Sequence, residues 1–235
     1  ATLVAEPLAF GLCCLTKDEQ ELGCTVLDFG ANSTTYALFY RNALVEIGHV
    51  PLGGMNMTQD IARGLNTPLS QAERIKNLHA SAIAGQSGDR EMIIVPQVGE
   101  VGDMEGARFP KAELTRIVYA RLEEIFNQLK KRIGPSPFRK YSCMRWVLTG
   151  GASQLPGLTE LTSFILGKKA RLGSPVHTQG LDEANRQPGL SCVIGLLMYA
   201  QAQGAKGQSL VTKRKGIATS WVWVRKVSLW VKDNL

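Results

Sequence analysis

Between Cys24 and Val50 apolar and polar positions alternate in short runs divided by turn residues: CTVLD, FGANS, TTYALFY, Arg41-Asn42 and ALVEIGHV. A period of two in β-branched and aromatic residues predicts three strands in an antiparallel meander. Pro51 and Gly53-Gly54 close it, and MNMTQDIARGL begins a helix that Gly64 ends. Ser70-Gln71-Ala72-Glu73 has the form of a capping box, in which hydroxyl and carboxylate each satisfy an early amide, and predicts a helix over 71–84. EMIIVPQV reads as a strand. Leu114, Ile117, Val118, Ile125, Leu129 and Ile133 then recur at three- and four-residue steps up to Gly134-Pro135, which predicts a long amphipathic helix over 111–133. MRWVLTGGASQLPGL gives strand, Gly-Gly loop and helix start, an order that sets backbone amides beside a phosphate or nucleoside. KKARLGSP reads as a short strand, and Pro188-Gly189 opens a final core helix, LSCVIGLLMYAQA. AQGAKGQSLVTKRKG loses hydrophobicity and reads as a linker. The chain has no internal repeat.

The last segment, SWVWVRKVSLWVKDNL, mixes tryptophan, valine and basic residues. As a helix it sets Arg225, Ser228 and Lys232 in a narrow polar stripe opposite Trp223, Val224, Val227, Trp230 and Val231, with Lys226 at the margin. Too short to cross a bilayer, such a helix suits the headgroup layer, where indoles favour the interface and Lys and Arg meet anionic lipid. Because WVWV is also β-prone, an edge strand or a helix packed on the core remains the alternative.

Composition narrows the class. Of 235 residues, 44% are hydrophobic, 20% charged and 7% aromatic, which fits a soluble globular protein and excludes disorder, collagen-like repetition and a disulfide mini-protein. No run of about 18 uncharged apolar residues appears, so no helical span is expected. The start at Ala1, without methionine or leader, is expected of a fragment or trimmed product. Cys13, Cys14, Cys24, Cys143 and Cys192 form an odd set without a C-x-x-C pair and read as reduced thiols of a cytosolic protein, with Cys24 and Cys192 buried. The net charge is +7, of which +5 lies in the last 25 residues (six basic side chains against Asp233). Charge confined to one apolar end fits an anionic membrane surface and no nucleic-acid groove. His49, His79 and His177 are scattered, and neither a serine elbow nor an acid/base carboxylate pair is visible, so no catalytic residue and no resident metal site are expected.

The chain resembles the bacterial FtsA family of the actin-like ATPase superfamily. The likeness lies in EPLAFGLCCLTKDEQELG, DFGANSTTYALF, HVPLGGMNMTQDIA, SQAERIKNLHASA, VLTGGASQLPGL, RLGSPV and GLLMYAQ, followed by a linker and a Trp-rich tail. It implies an α/β fold: an actin-like (ribonuclease H-like) lobe with an inserted smaller α/β subdomain and a C-terminal amphipathic helix. The implied division is 1–64 with 144–203 as the nucleotide-binding subdomain of a second lobe, 65–143 as the insert, 204–216 as linker and 217–235 as the membrane-targeting tail. The first lobe would be absent, leaving one wall of the cleft.

By the same resemblance, Asp28, Gly30, Ala31, Asn32, Ser33 and Thr34 form the second phosphate loop. The family's D-x-G-G-G-T stands here as D-F-G-A-N-S-T: Gly30 keeps one unrestricted position, Asn32 tolerates positive φ and Ala31 adds a methyl. Glu73 and Lys76, three apart on one helix face, match positions that touch ribose and adenine, and Gly150, Gly151 and Ala152 match the adenosine loop. Trp221, Trp223, Arg225, Lys226, Val227, Trp230 and Lys232 would bind the membrane. The implied function is a divisome adaptor that tethers filaments of the tubulin-like protein FtsZ to the cytoplasmic face of the inner membrane at the division site. Its partners would be the FtsZ C-terminal tail, other division proteins, copies of itself and anionic lipid, with residues 65–143 as the docking surface. ATP with Mg would act as a conformational ligand and not as fuel, any hydrolysis being weak and needing the first lobe. An ATPase or kinase half of another actin-fold family, or a pilus-assembly homologue, is the alternative.

Overall fold

The three runs between Cys24 and Val50 form the expected meander: β1 (Cys24–Phe29), β2 (Thr34–Tyr40) and β3 (Ala43–Val50), paired antiparallel with an irregularity between Leu38 and Phe39. The computed structural model describes residues 3–85, 91–99, 106–137, 145–175, 182 and 185–205. Residues 4–199 make one unit, to which the following description applies, and only Leu3 and 200–205 are described of a second. The β2–β3 turn places Arg41 and Asn42 at φ 51° and 58°, the left-handed pair that suits a two-residue hairpin. Its amides donate to the Glu21 and Gln20 carbonyls, both at 3.0 Å, which holds an otherwise unfavourable Arg41 conformation.

Parallel strands β6 (Trp146–Thr149) and β7 (Ala170–Leu172) extend this sheet to the order β3-β2-β1-β6-β7. Both faces are covered, which explains why β1 reads as an almost unbroken apolar run. Cys24 and Val26 face one side, where helices α1 (Glu6–Cys14) and α7 (Ser191–Ala205) pack with Phe39 and Val147. Leu27 and Phe29 face the other, with α3 (Gly54–Gly64), α4 (Leu69–His79), α5 (Lys111–Ile133) and α6 (Leu158–Leu166). Leu114, Val118, Leu122, Ile125, Phe126, Leu129 and Ile133 line the buried face of α5, and Lys130, Lys131 and Arg132 place positive charge at its carbonyl end. The hairpin of β4 (Met92–Val95) and β5 (Ala107–Pro110) is a separate two-stranded sheet whose Ile93 and Val95 enter the same apolar cluster.

Several expectations need correction. Helix α4 spans Leu69–His79 and not 71–84, and no side chain caps it: Pro68 stands at the cap, and the Glu73 carboxylate bonds Thr58 and Lys76 instead of an early amide. Past His79 the chain is extended, with the Ala82 amide on the Pro156 carbonyl at 2.8 Å. Helix α7 is less a core helix than a half-covered one. Ile194 is buried, but Val193 is 56% and Leu197 65% exposed, because only one side of the helix meets α1 and the sheet. It also runs to Ala205, two residues into the expected linker. Helix α1, β5 and a short α2 (Lys17–Leu22) had no counterpart in the pattern reading. Helix α2 carries a true capping box, with Thr16 Oγ1 accepting from the Glu19 amide at 3.2 Å and Glu19 Oε2 from the Thr16 amide at 3.0 Å.

Cys13, Cys14, Cys24 and Cys192 are free thiols, and Cys143 lies outside the described residues. Burial pushes Cys24 up to about 12; Cys192, expected buried, is partly exposed. Within the described residues no helix is long and apolar enough to cross a membrane.

Candidate functional site

Strands β1 and β6 run parallel, with Asp28 opposite Thr149, so their carboxyl ends open on the same edge of the sheet. That edge is where α/β folds gather ligand-binding loops. Asp28 ends the β1 face that Cys24 and Val26 begin, the side on which α1 packs. Burial first, and then the negative charge of Glu6 at the start of α1, push its carboxyl up to about 6. Glu6 escaped the sequence reading although E-P at a helix start was visible; nothing in the local pattern brings its charge near Asp28, because α1 comes to this end of β1 only through its packing on the Cys24/Val26 face of the sheet.

The β1–β2 turn closes with the Gly30 amide donating to the Ser33 carbonyl at 3.0 Å. Neither Gly30 nor Asn32 uses positive φ, contrary to the role given to their conformational freedom; a Cβ on Gly30 would instead lie 3.0 Å from the Ser33 oxygen. The Ala31 methyl strains nothing in the backbone and points to an exposed position. Thr34 Oγ1 donates to the Leu52 carbonyl at 2.8 Å, so this hydroxyl holds the following strand connection. Among the described residues the amides of Ala31, Asn32 and Ser33 have no protein acceptor, the state expected of a turn that binds an anion.

The first turn of α3 grips this loop. Gly54 and Met55 amides, orphan donors at a helix start, donate to the Gly30 and Ala31 carbonyls at 2.9 and 2.7 Å. Close approach demands glycine at 53, where a Cβ would fall 2.5 Å from the Gly30 oxygen. Asn56 Oδ1 accepts from the Gly53 amide at 2.9 Å and completes the cap.

A cavity of about 460 Å³ is lined by Met57 of α3 and Lys76 and Asn77 of α4 on one side and by Gly151, Ala152, Gln154, Leu155 and Pro156 on the other. Gly150 holds φ 86° before the 3₁₀ turn Gly151–Gln154. Glu73 and Lys76 share the α4 face next to the cavity, 2.7 Å apart. Burial opposes the Glu73 charge, but hydrogen bonds from Lys76 and Thr58 outweigh it and leave the carboxyl below its usual range. Lys76 is only 12% exposed along its side chain and is fully engaged within the protein, so it does not reach into the cavity as a free donor. Thr149 ties the floor of the site to α7 through Ser191 Oγ at 2.8 Å.

The structure thus brings together Asp28, Gly30, Ala31, Asn32, Ser33, Glu73, Lys76, Gly150, Gly151 and Ala152 at one edge of the sheet. Burial, and secondarily the negative charge of Glu6, disfavour ionisation of Asp28, a penalty that a cation would relieve, whereas among the described residues no cluster of three acidic, His or Cys side chains could hold a metal alone. That donor set fits Mg, which keeps several waters and takes further ligands from a phosphate. Trp221, Trp223, Arg225, Lys226, Val227, Trp230 and Lys232, the rest of the 217–235 tail and the linker from 206 lie outside the described residues.

Comparison with known proteins places these features in a family. The family described as Cell division protein FtsA matches residues 25–195. A protein of that name from Rhizobium meliloti is 42% identical over 199 residues, covering 85% of this chain and 45% of the relative. Its Escherichia coli K12 counterpart is 31% identical over 236 residues, covering 99% of this chain and 56% of the relative. The chain therefore spans about half the length of the curated relatives it matches. Among solved structures, MreB 5 of Spiroplasma citri bound to AMPPNP superposes with a TM-score of 0.67 at 12% identity, over 86% of this chain and 59% of that one. The PilM-PilN type IV pilus biogenesis complex gives a TM-score of 0.61 at 21% identity, over 85% and 52% of the two chains. The shared architecture is the actin-like ATPase fold.

Proposed function

The chain belongs to the FtsA cell division family, and from that premise we propose that it is an actin-like, nucleotide-binding adaptor that tethers FtsZ filaments to the cytoplasmic membrane at the division site. The observation that carries the nucleotide part is the convergence, at one sheet edge, of unsatisfied loop amides, the Asp28 carboxyl and the cavity beside Ala152. The amides of Ala31, Asn32 and Ser33 would receive the phosphates, Asp28 and Glu6 would hold Mg through water, and Met57, Ala152 and Leu155 would flank the nucleoside. Bound Mg would offset phosphate charge. Asp28 stays partly protonated near pH 6 without a cation, so cation and nucleotide binding should strengthen each other.

ATP would act as a conformational ligand. The actin-like neighbour bound to AMPPNP supports the nucleotide class, and the identity to FtsA proteins favours the division role over a pilus or kinase role, which rest on the shared fold alone. The docking surface for the FtsZ tail would lie on α5. An apolar groove of about 360 Å³ runs between α5 and α6, lined by Ala112, Thr115, Tyr119, Leu161 and Phe164 with Ile83, and Phe164 is 82% exposed. Such an anchor-sized apolar site beside Arg116 suits a short peptide.

Co-sedimentation with anionic vesicles, with and without residues 217–235 and with an FtsZ C-terminal peptide, tests the adaptor. The tail should be required for lipid binding and the body alone should retain the peptide. Lipid binding that survives removal of the tail, or absence of peptide binding by the body, would sink the respective half of the reading.

A further inference from the structure

The ammonium of Lys76 has three protons and three protein acceptors: Glu73 Oε2 at 2.7 Å, Thr58 Oγ1 at 2.8 Å and the Gly54 carbonyl at 3.2 Å. A ligand in the adjoining cavity could receive a hydrogen bond from it only by displacing one of these. The third acceptor matters most, because the same Gly54 donates its amide to the Gly30 carbonyl at 2.9 Å and the next residue, Met55, donates to Ala31 at 2.7 Å. The first turn of α3 is therefore held from two sides, by the lysine on its carbonyl and by the loop on its amides. It also meets the third element of the site: a Cβ on Gly54 would lie 3.1 Å from the Ala152 Cβ.

Resting on the nucleotide reading above, we propose that Lys76 is a positioning residue, which fixes the first turn of α3 and through it the Gly30–Ala31 loop, and not a direct contact to the ligand. The nucleoside end of the cavity and the phosphate loop are then one mechanical unit. Thr58 is the relay: its hydroxyl accepts from Lys76 and lies within hydrogen-bond distance of both Glu73 (2.5 Å) and the Gly54 carbonyl (3.1 Å), where it can donate to one at a time. A hydroxyl arriving from a sugar at Glu73 would compete for the carboxylate that Lys76 and Thr58 share. Occupancy at one end thereby alters the hold on the other.

The test uses the full chain carrying Lys76→Met, which keeps the apolar stem and removes the donors, and Thr58→Val as a milder companion of equal shape. Both are first checked for folding by circular dichroism. In the ligand-free proteins, hydrogen exchange at the Gly54 and Met55 amides should accelerate by about tenfold or more in Lys76→Met, the loss of one charge-assisted bond, and by less in Thr58→Val, while Val26 and Leu27 in β1 stay as protected as before. Unchanged exchange at 54 and 55 overturns the proposal. In Mg buffer, Lys76→Met should weaken ATP by about tenfold and adenosine by about twofold or less, since only the phosphates read the loop. Equal weakening of both would make Lys76 a nucleoside contact and overturn the proposal as well. A wild-type chain that binds neither ligand contradicts the nucleotide reading, and the exchange result then decides the mechanical link by itself.

Discussion

Asp28 and Gly150 are in steric register: a Cβ on Gly150 would lie 2.3 Å from Asp28 Oδ1 and 2.6 Å from the Phe29 carbonyl. The carboxylate at the end of β1 occupies space that any other residue at 150 would fill, and φ 86° adds a second reason for glycine there. Gly150→Ala should cost about 2–4 kcal/mol, strain and overlap together, and should abolish nucleotide binding. Urea unfolding and calorimetric titration with ATP check the two effects separately.

Asp28 also sets a pH dependence. Its folded pKa, about 6 against an ordinary 3.8, means that the native state holds its proton more tightly than the unfolded chain. The contribution to stability is fully present below about pH 4 and is lost as pH rises through 6. Asp28→Asn should accordingly raise the unfolding free energy by about 1–2 kcal/mol at pH 7.5 and leave it unchanged at pH 4, while removing the Mg dependence of ATP binding. Denaturant curves at the two pH values would expose the opposite trend if the carboxyl were stabilising.

Glu19 behaves in the reverse sense. Burial opposes its charge, yet the forked contact with Arg171 (2.8 and 2.5 Å) and the Thr16 amide hold its pKa below the ordinary 4.5. This stability is present above that value and is lost as pH falls through the folded pKa. Arg171→Leu should cost about 2–3 kcal/mol at pH 7 by leaving a half-buried carboxylate short of donors, and clearly less at pH 3. A cost independent of pH would assign the effect to packing alone.

Phe164, almost wholly exposed, contributes little to the core. Phe164→Ser should change stability by less than about 0.5 kcal/mol. If the α5–α6 groove receives the FtsZ tail, the same variant should lower affinity for that peptide by about tenfold, as loss of an apolar anchor does. Fluorescence anisotropy with a labelled peptide would read this, and unaltered affinity would remove the groove from consideration.

The sequence carried the elements whose pattern is local. Alternation and turn residues marked β1 to β3 within a residue, and the heptad-like spacing from Leu114 to Ile133 marked α5. It failed where partners decide. EPLAFGLCC is apolar on all sides and too short for a periodic signal, so α1 stayed hidden, and with it Glu6. Thr16-x-x-Glu19 and Ser70-x-x-Glu73 look alike in sequence, but only the first caps a helix; at the second, Lys76 and Thr58 draw the carboxylate away. Lys76 itself could be assigned to the site from the sequence, whereas its role depends on an acceptor, Gly54, that lies 22 residues earlier in the chain.

Phe29 in β1 meets Phe126 in α5 edge to face, ring centroids 6.0 Å apart, and both belong to the apolar cluster that also holds Ile93 and Val95 of the β4–β5 hairpin. The described residues of 65–143 therefore share one apolar cluster with the sheet. A chimera that exchanged this stretch between two relatives would have to carry the matching strand residues with it. The freedom to exchange that stretch is limited by its fit to the sheet, so substitutions at positions 29 and 126 should be tolerated together more readily than singly.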